Sequence, residues 1–239
     1  MKLKILHLYP KEMNLYGDHG NILTLKKRCE WRGINAEVIA HEPGEPIPDD
    51  IDIIFGGGGQ DSNQNTIEDD LHKIAPKLKE LVEADVPTLV VCGLYQLFGE
   101  YFQTAEGHKI EGIGILDLYT VAGKNRLIGN VVIDTEDFGE IVGYENHSGL
   151  TRLGQNVKPL GTISEKGYGN NGDDELEGAR YHNCIGTYLH GPILPKNPRL
   201  ADYLIAKAIE RQTGKPIKLE RLNDTTENRA HKVAATRPQ

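Results

Sequence analysis

Cys92 lies between an apolar run and a glycine turn, in Pro87-Thr88-Leu89-Val90-Val91-Cys92-Gly93-Leu94-Tyr95-Gln96-Leu97-Phe98-Gly99. A β-branched run after a proline predicts a short buried strand, Gly93 permits a sharp turn, and the residues from Leu94 to Phe98 can open a helix. A thiol at that junction is presented at the strand's C-terminal edge. The amides of the helix's first turn favour its thiolate, which is the nucleophilic form. The competing reading is a buried structural cysteine. A thiol nucleophile needs a base, and of the nine histidines His190 is the best placed, because Cys184-Ile185-Gly186-Thr187-Tyr188-Leu189-His190-Gly191-Pro192 again runs as a strand into a glycine turn. In a parallel sheet the C-terminal strand ends converge on one crevice, where Cys92 and His190 can meet. An imidazole of pKa ~6.5 takes the thiol proton and returns it to a leaving amine. A surface turn histidine is the alternative.

Acyl transfer through a thiol also needs donors for the oxyanion of its tetrahedral intermediate. Gly56-Gly57-Gly58-Gly59-Gln60 follows another apolar run. With no side chains in the way, the amides of Gly57 and Gly58 are candidates, joined by those of Gly93 and Leu94 just after the nucleophile. A phosphate loop is the rival reading of four glycines, but no Gly-Lys-Ser/Thr follows them, so a nucleoside triphosphate site is not expected.

The elements that must carry these residues follow from periodicity. Residues 3–9 read as a strand, Asn21 to Arg32 as an amphipathic helix ended by Gly33, Ala36 to Ala40 and Ile51 to Phe55 as strands, and Thr66 to Ala84 as a long helix before the Cys92 strand. This alternation predicts an α/β fold with a central, mostly parallel sheet flanked by helices. Short runs at Ile110 to Asp117, Leu127 to Ile133, Ile141 to His147, Lys158 to Thr162 and Arg180 to Tyr188 predict antiparallel additions in the second half, with Gly167 to Gly178 as a polar surface loop. A last helix is expected from Pro198 to Gln212. One domain over residues 1–215 is therefore expected, followed by a polar tail over 216–239, partly disordered.

Composition narrows the functional classes. With 239 residues, 38% of them hydrophobic, and a net charge of −8 without a long Lys/Arg cluster, the chain is a poor match for nucleic-acid binding. Neither a signal peptide nor a run of ~18 apolar residues is visible, and the expected location is the cytoplasm. Cys29, Cys92 and Cys184 are widely spaced and odd in number, which suits neither a disulfide framework nor a metal site. No cofactor is expected.

Cys-Gly-x-Tyr-Gln at Cys92, the glycine run before it, Gly143-Tyr144-Glu145-Asn146-His147-Ser148-Gly149 and Tyr188-Leu189-His190-Gly191-Pro192 together resemble the class I, triad-type glutamine amidotransferases, in the branch that includes cobyric acid synthase. Within that branch, Met13-Asn14-Leu15-Tyr16-Gly17-Asp18-His19-Gly20-Asn21 and the stretch from Gly186 to Pro198 look like the small glutaminase subunits of lipid II isoglutaminyl synthases. The resemblance runs from about residue 3 to residue 210. It implies a single amidotransferase domain in which Cys92 attacks the side-chain amide of L-glutamine, His190 protonates the departing ammonia, and water cleaves the thioester. Arg126 matches an arginine that such subunits use for glutamine, and a guanidinium suits a carboxylate. Gln96 matches a glutamine near the substrate amide, and His147 is a further pocket candidate. The implied partner is a MurT-like Mur ligase subunit that uses the ammonia to amidate the D-glutamate of the lipid-linked stem peptide in peptidoglycan synthesis. A cobyrinate-type amidotransferase is the alternative, although in those chains the glutaminase is fused to a synthetase that 239 residues do not accommodate. A non-catalytic regulatory subunit on the same scaffold is another.

Two departures from the family pattern carry expectations of their own. Val90 and Leu94 stand where glycine is commoner two residues before and after the nucleophile, so their side chains are expected to crowd the turn. Pro192 stands where class I enzymes usually place the glutamate that orients the histidine. The resemblance implies that an Asp from the partner fills that role.

Overall fold

The computed structural model describes residues 1–238. In chain order, β1 (Lys2–Leu8), α1 (His19–Glu30), β2 (Asn35–His41), β3 (Ile53–Gly56), α2 (Asp61–Glu83), β4 (Thr88–Val91) and α3 (Gly93–Leu97) make the first half. β5 (Tyr101–Gln103), β6 (Lys109–Glu111), β7 (Leu118–Thr135), β8 (Gly139–Leu153), β9 (Gly161–Lys166) and β10 (Leu176–Glu177) follow. β11 (Ala179–Tyr181), β12 (Cys184–Thr187), α4 (Pro198–Thr213) and α5 (Thr225–Thr236) complete the chain. One sheet has the order β11-β12-β4-β3-β1-β2 and is parallel except for β11. Its inner strands are apolar on both faces, as helices on both sides require, and Ile53 to Gly56 and Thr88 to Val91 are buried throughout.

The additions of the second half form a separate sheet, ordered β10-β9-β7-β5-β6, with β8 paired to β7. The long antiparallel pair β7 and β8 dominates it, running well past the short apolar runs legible in the sequence because its outer residues are polar and solvated. Of the Ile110 to Asp117 run only Ile110 and Glu111, within β6, are strand, and the Arg180 to Tyr188 run divides into β11 and β12 around His182, whose φ is 51°. The stretch from Gly167 to Gly178, expected as a surface loop, buries Asn170 and Asn171. The Asn170 side chain accepts from the Tyr95 hydroxyl at 3.0 Å and from the Gly178 amide at 3.0 Å, pinning this stretch beneath α3.

The C-terminal segment, expected as a partly disordered tail, contains α5. Asp224, just before it, accepts from the buried Arg28 guanidinium at 2.6 Å, and Asp202 of α4 takes the same guanidinium on two oxygens at 2.7 and 2.8 Å. A buried arginine left without these carboxylates would be costly, so the network holds the segment to α1 and α4. No described helix is long and apolar enough to cross a membrane.

Candidate active site

Cys92 sits at the end of β4 with φ 50° and ψ −103°, a conformation that a non-glycine residue adopts only under constraint. The constraint is the packing around it. Val90 pairs in register with Gly56 on one side and Gly186 on the other, so its side chain meets no bulky neighbour in either adjacent strand. Leu94 occupies the space that a Cβ on Gly56 would need. The two residues expected to crowd the turn are thus accommodated by glycines on neighbouring strands, and both are fully buried.

His190 is fully buried beyond the end of β12 and is held by backbone hydrogen bonds to Tyr144 of β8. A Cβ on Gly58 would lie 2.6 Å from His190 Cε1 and 3.1 Å from Cys92 Cβ, so the glycine is what allows the loop after β3 to pass beside the pair. The imidazole Nδ1 lies 3.2 Å from Oδ1 of Asp18, a carboxylate that is itself fully buried. Burial would lower the pKa of this histidine, but the Cys92 sulfur and the Asp18 carboxylate outweigh it and raise the value to about 10. Nε2 makes no hydrogen bond and is buried.

Asp18 corrects two expectations. A carboxylate of this chain already lies beside His190 Nδ1, where the resemblance implied an Asp from the partner. The other Asp18 oxygen accepts the Gly58 amide at 2.7 Å, so that N–H is committed and Gly58 is not a free oxyanion donor. Gly93 and Leu94 open α3, where the first amides lack acceptors within the helix. Gly57 is required on other grounds, since a Cβ there would strike the Met13 carbonyl of the loop that delivers Asp18. Asp18 is the N-cap residue of α1, yet its side chain makes no capping bond, and its partners are both distant in the sequence.

A cavity of about 410 Å³ opens over Cys92, with Tyr16, Gln96, Arg126, Asn146 and His147 in its wall. Arg126 is exposed on an irregularity where the β7 and β8 register shifts between Ala122 and Leu127. Its Nε donates to Asn146 Oδ1 and one terminal nitrogen donates to Asn146 O, both at 2.9 Å, leaving the other terminal nitrogen unengaged by these bonds. Asn146 in turn donates to the Tyr16 hydroxyl at 2.7 Å, and the Tyr16 ring meets His190 edge-on at 5.0 Å. Sequence reasoning missed Tyr16 and Asn146, because neither residue type signals a role without its neighbours. Gln96 accepts from Gln64 at 2.7 Å and donates to the Tyr188 hydroxyl at 3.1 Å. His147 lies flat on Tyr188 at 3.5 Å and its Nδ1 is 2.8 Å from the Gly149 carbonyl. Both residues therefore build the wall through Tyr188.

A thiol in a strained conformation at the end of β4, a histidine beyond the end of the neighbouring β12 and a buried carboxylate behind it are the arrangement a triad-type amidotransferase requires. Residues 4–198 match the CobB/CobQ-like glutamine amidotransferase domain, and the chain belongs to that family. More particularly, it is 44% identical over 239 residues to the lipid II isoglutaminyl synthase (glutamine-hydrolyzing) subunit GatD of Staphylococcus aureus, an alignment spanning 99% of this chain and 96% of that one. The subunit of the same name from Streptococcus pneumoniae is 41% identical over 226 residues, 93% of this chain and 86% of that one. The fold is also that of a solved glutamine amidotransferase at 16% identity, with a TM-score of 0.60 over 85% of this chain and 98% of that one.

Proposed function

We propose that this chain is the glutaminase subunit of a lipid II isoglutaminyl synthase, hydrolysing L-glutamine to glutamate and ammonia through Cys92, His190 and Asp18. The free edge of the Arg126 guanidinium takes the substrate's α-carboxylate, a charge-assisted contact at the mouth of the cavity. The Cys92 thiolate attacks the side-chain amide carbon while the His190 imidazolium holds the thiol's proton. Collapse of the tetrahedral adduct breaks the C–N bond, and His190 gives its proton to the departing nitrogen, which leaves as ammonia. His190 then accepts a proton from water as the hydroxyl adds to the thioester, and release of glutamate regenerates the thiol. Asp18 holds the Nδ1 proton throughout, so that Nε2 alone faces the sulfur. Gly57, Gly93 and Leu94 are the remaining amides proposed to meet the oxyanion.

The observation that supports this reading most is the alignment of Asp18, His190 and Cys92 under a cavity that also holds Arg126. On this reading ammonia passes to a Mur-ligase-like partner that amidates the D-glutamate of the stem peptide, as the sequence resemblance implies; the relatives are named as subunits of a lipid II isoglutaminyl synthase. A glutamine-mimicking diazoketone should label Cys92 alone, and Cys92→Ala should abolish glutamate release in the presence of the partner. Labelling at Cys29 or Cys184 with Cys92 untouched would refute the assignment.

A further inference from the structure

A second cavity, of about 580 Å³, opens between α5 and β8 beside the His190 turn, lined by Gly191. Tyr144, Val233 and Ala234 give it an apolar wall, Lys196, Arg229 and Arg237 surround it with positive charge, and no Asp or Glu lines it. In a chain of net charge −8, three cations around one cavity without a carboxylate are an unmatched feature. Among the described residues none of the three forms an ion pair. The Lys196 ammonium is bound to a single neutral acceptor, the Gly191 carbonyl at 2.7 Å, although it has three protons to donate. Burial, together with the neighbouring Arg237 charge, lowers its pKa, as expected for an ammonium lacking a counter-ion.

The helix over this cavity contributes no fully buried residue. It is tethered at its ends, by Asp224 on Arg28 before it and by Lys166, which donates to the Ala235 and Arg237 carbonyls at 2.7 Å, and in its middle by His231, whose Nδ1 lies 2.8 Å from the Lys196 carbonyl and whose Nε2 lies 3.0 Å from Oε1 of Glu140 on β8. The helix is therefore held to β8 through a polar side chain, and the cavity lies beside that contact.

We propose that this cavity is a docking seat for the partner subunit, which inserts an apolar side chain flanked by carboxylates. The proposal rests on the functional reading above for the existence of that partner, and the relatives' printed names describe subunits. An apolar body suits the wall and carboxylates suit the ring of cations, which is the complementarity that fixes register at protein interfaces. A carboxylate that draws Lys196 away from Gly191 acts on the residue next to His190, so docking here bears on the catalytic turn.

The test uses the full chain and its Mur-ligase-like partner. The double variant Arg229→Glu, Arg237→Glu reverses the charge, and Ala234→Trp fills the cavity without changing charge. Each should weaken association by about tenfold or more in calorimetric titration, and the charge variant should also lose most of the salt dependence. Diazoketone labelling of Cys92 in the isolated variants should keep the unaltered rate, which separates lost docking from lost folding. Partner affinity unchanged in both variants would overturn the proposal. So would unweakened partner binding by the unaltered chain when octanoate, used as a small amphiphilic anion, saturates the cavity. If the unaltered chain itself fails to bind the ligase, the functional reading falls as well, a result distinguished by its independence of the substitutions.

Discussion

Asp18→Asn isolates the contribution of the buried carboxylate with almost no change in shape. The native side chain accepts on both oxygens, from Gly58 N–H at 2.7 Å and opposite His190 Nδ1 at 3.2 Å. Asparagine can keep the Gly58 bond only by turning its amide nitrogen towards Nδ1. Nδ1 must then accept rather than donate, and the imidazole proton moves to Nε2, where it blocks transfer from the Cys92 thiol. In a related triad the same tautomer error costs about four decades in turnover. The longer contact to Nδ1 here argues for the lower part of a range of ~10² to 10⁴, or about 3 to 5 kcal/mol in the barrier. The assay is steady-state glutamate release by the full complex. KM should change little, because Asp18 lies behind His190 rather than in the glutamine cavity, and the melting temperature should confirm a folded variant. A turnover within about threefold of the unaltered chain, given the tenfold cost of each 1.36 kcal/mol, would falsify the claim that this carboxylate orients the histidine. The orienting group would then have to come from another chain.

The remaining expectations concern the same site. Arg126→Ala removes a charge-assisted contact of about 1.5 to 3 kcal/mol and should raise KM by one to two decades with a smaller change in kcat; unaltered kinetics would return Arg126 to the solvated surface. Asn146→Ala frees the Arg126 guanidinium and should raise KM by about threefold to tenfold, as loss of ordinary hydrogen bonds does, and a change in kcat alone would contradict a positioning role. Gly58→Ala places a methyl 2.6 Å from His190 Cε1, and because misplacement by ~1 Å can cost ~10² in rate, activity should drop by at least tenfold in a chain that still folds. The pH profile has a definite sign. His190, raised to about 10, donates to ammonia as the imidazolium, so activity should decline as pH rises through that value. Asp18→Asn should move that alkaline limb to lower pH. Any stability drawn from the raised value is complete below the unfolded pKa of ~6.5 and is lost as pH rises through the folded value, so denaturant titrations from pH 6 to 10 should show a decline.

The local chemistry of the chain was legible without its structure because it is written in contiguous residues. The β-branched run ending at Cys92, the glycines at 56–59 and the turn at His190 each announce a strand end, and parallel strands present their C-terminal ends on one side. That is enough to bring the nucleophile and its base together. The parallel sheet and α1 to α4 were likewise fixed by apolar periodicity, with bounds shifted by a few residues. What only the tertiary structure decided is where single polar side chains point. Asp18 and His190 are 172 positions apart, and the meeting depends on the loop after β1 crossing Gly57 and Gly58, a path set by close approach and not by any local pattern. The same holds for Arg126, Asn146 and Tyr16, which converge from a strand irregularity, a neighbouring strand and a strained turn. The helix of the C-terminal segment was missed because polar residues give no apolar period, and the Arg28 network that holds it spans three separate segments of the chain. Periodicity reports which face of an element is buried; it carries no information about the partner that a buried charge will find, and that partner is selected by the fold as a whole.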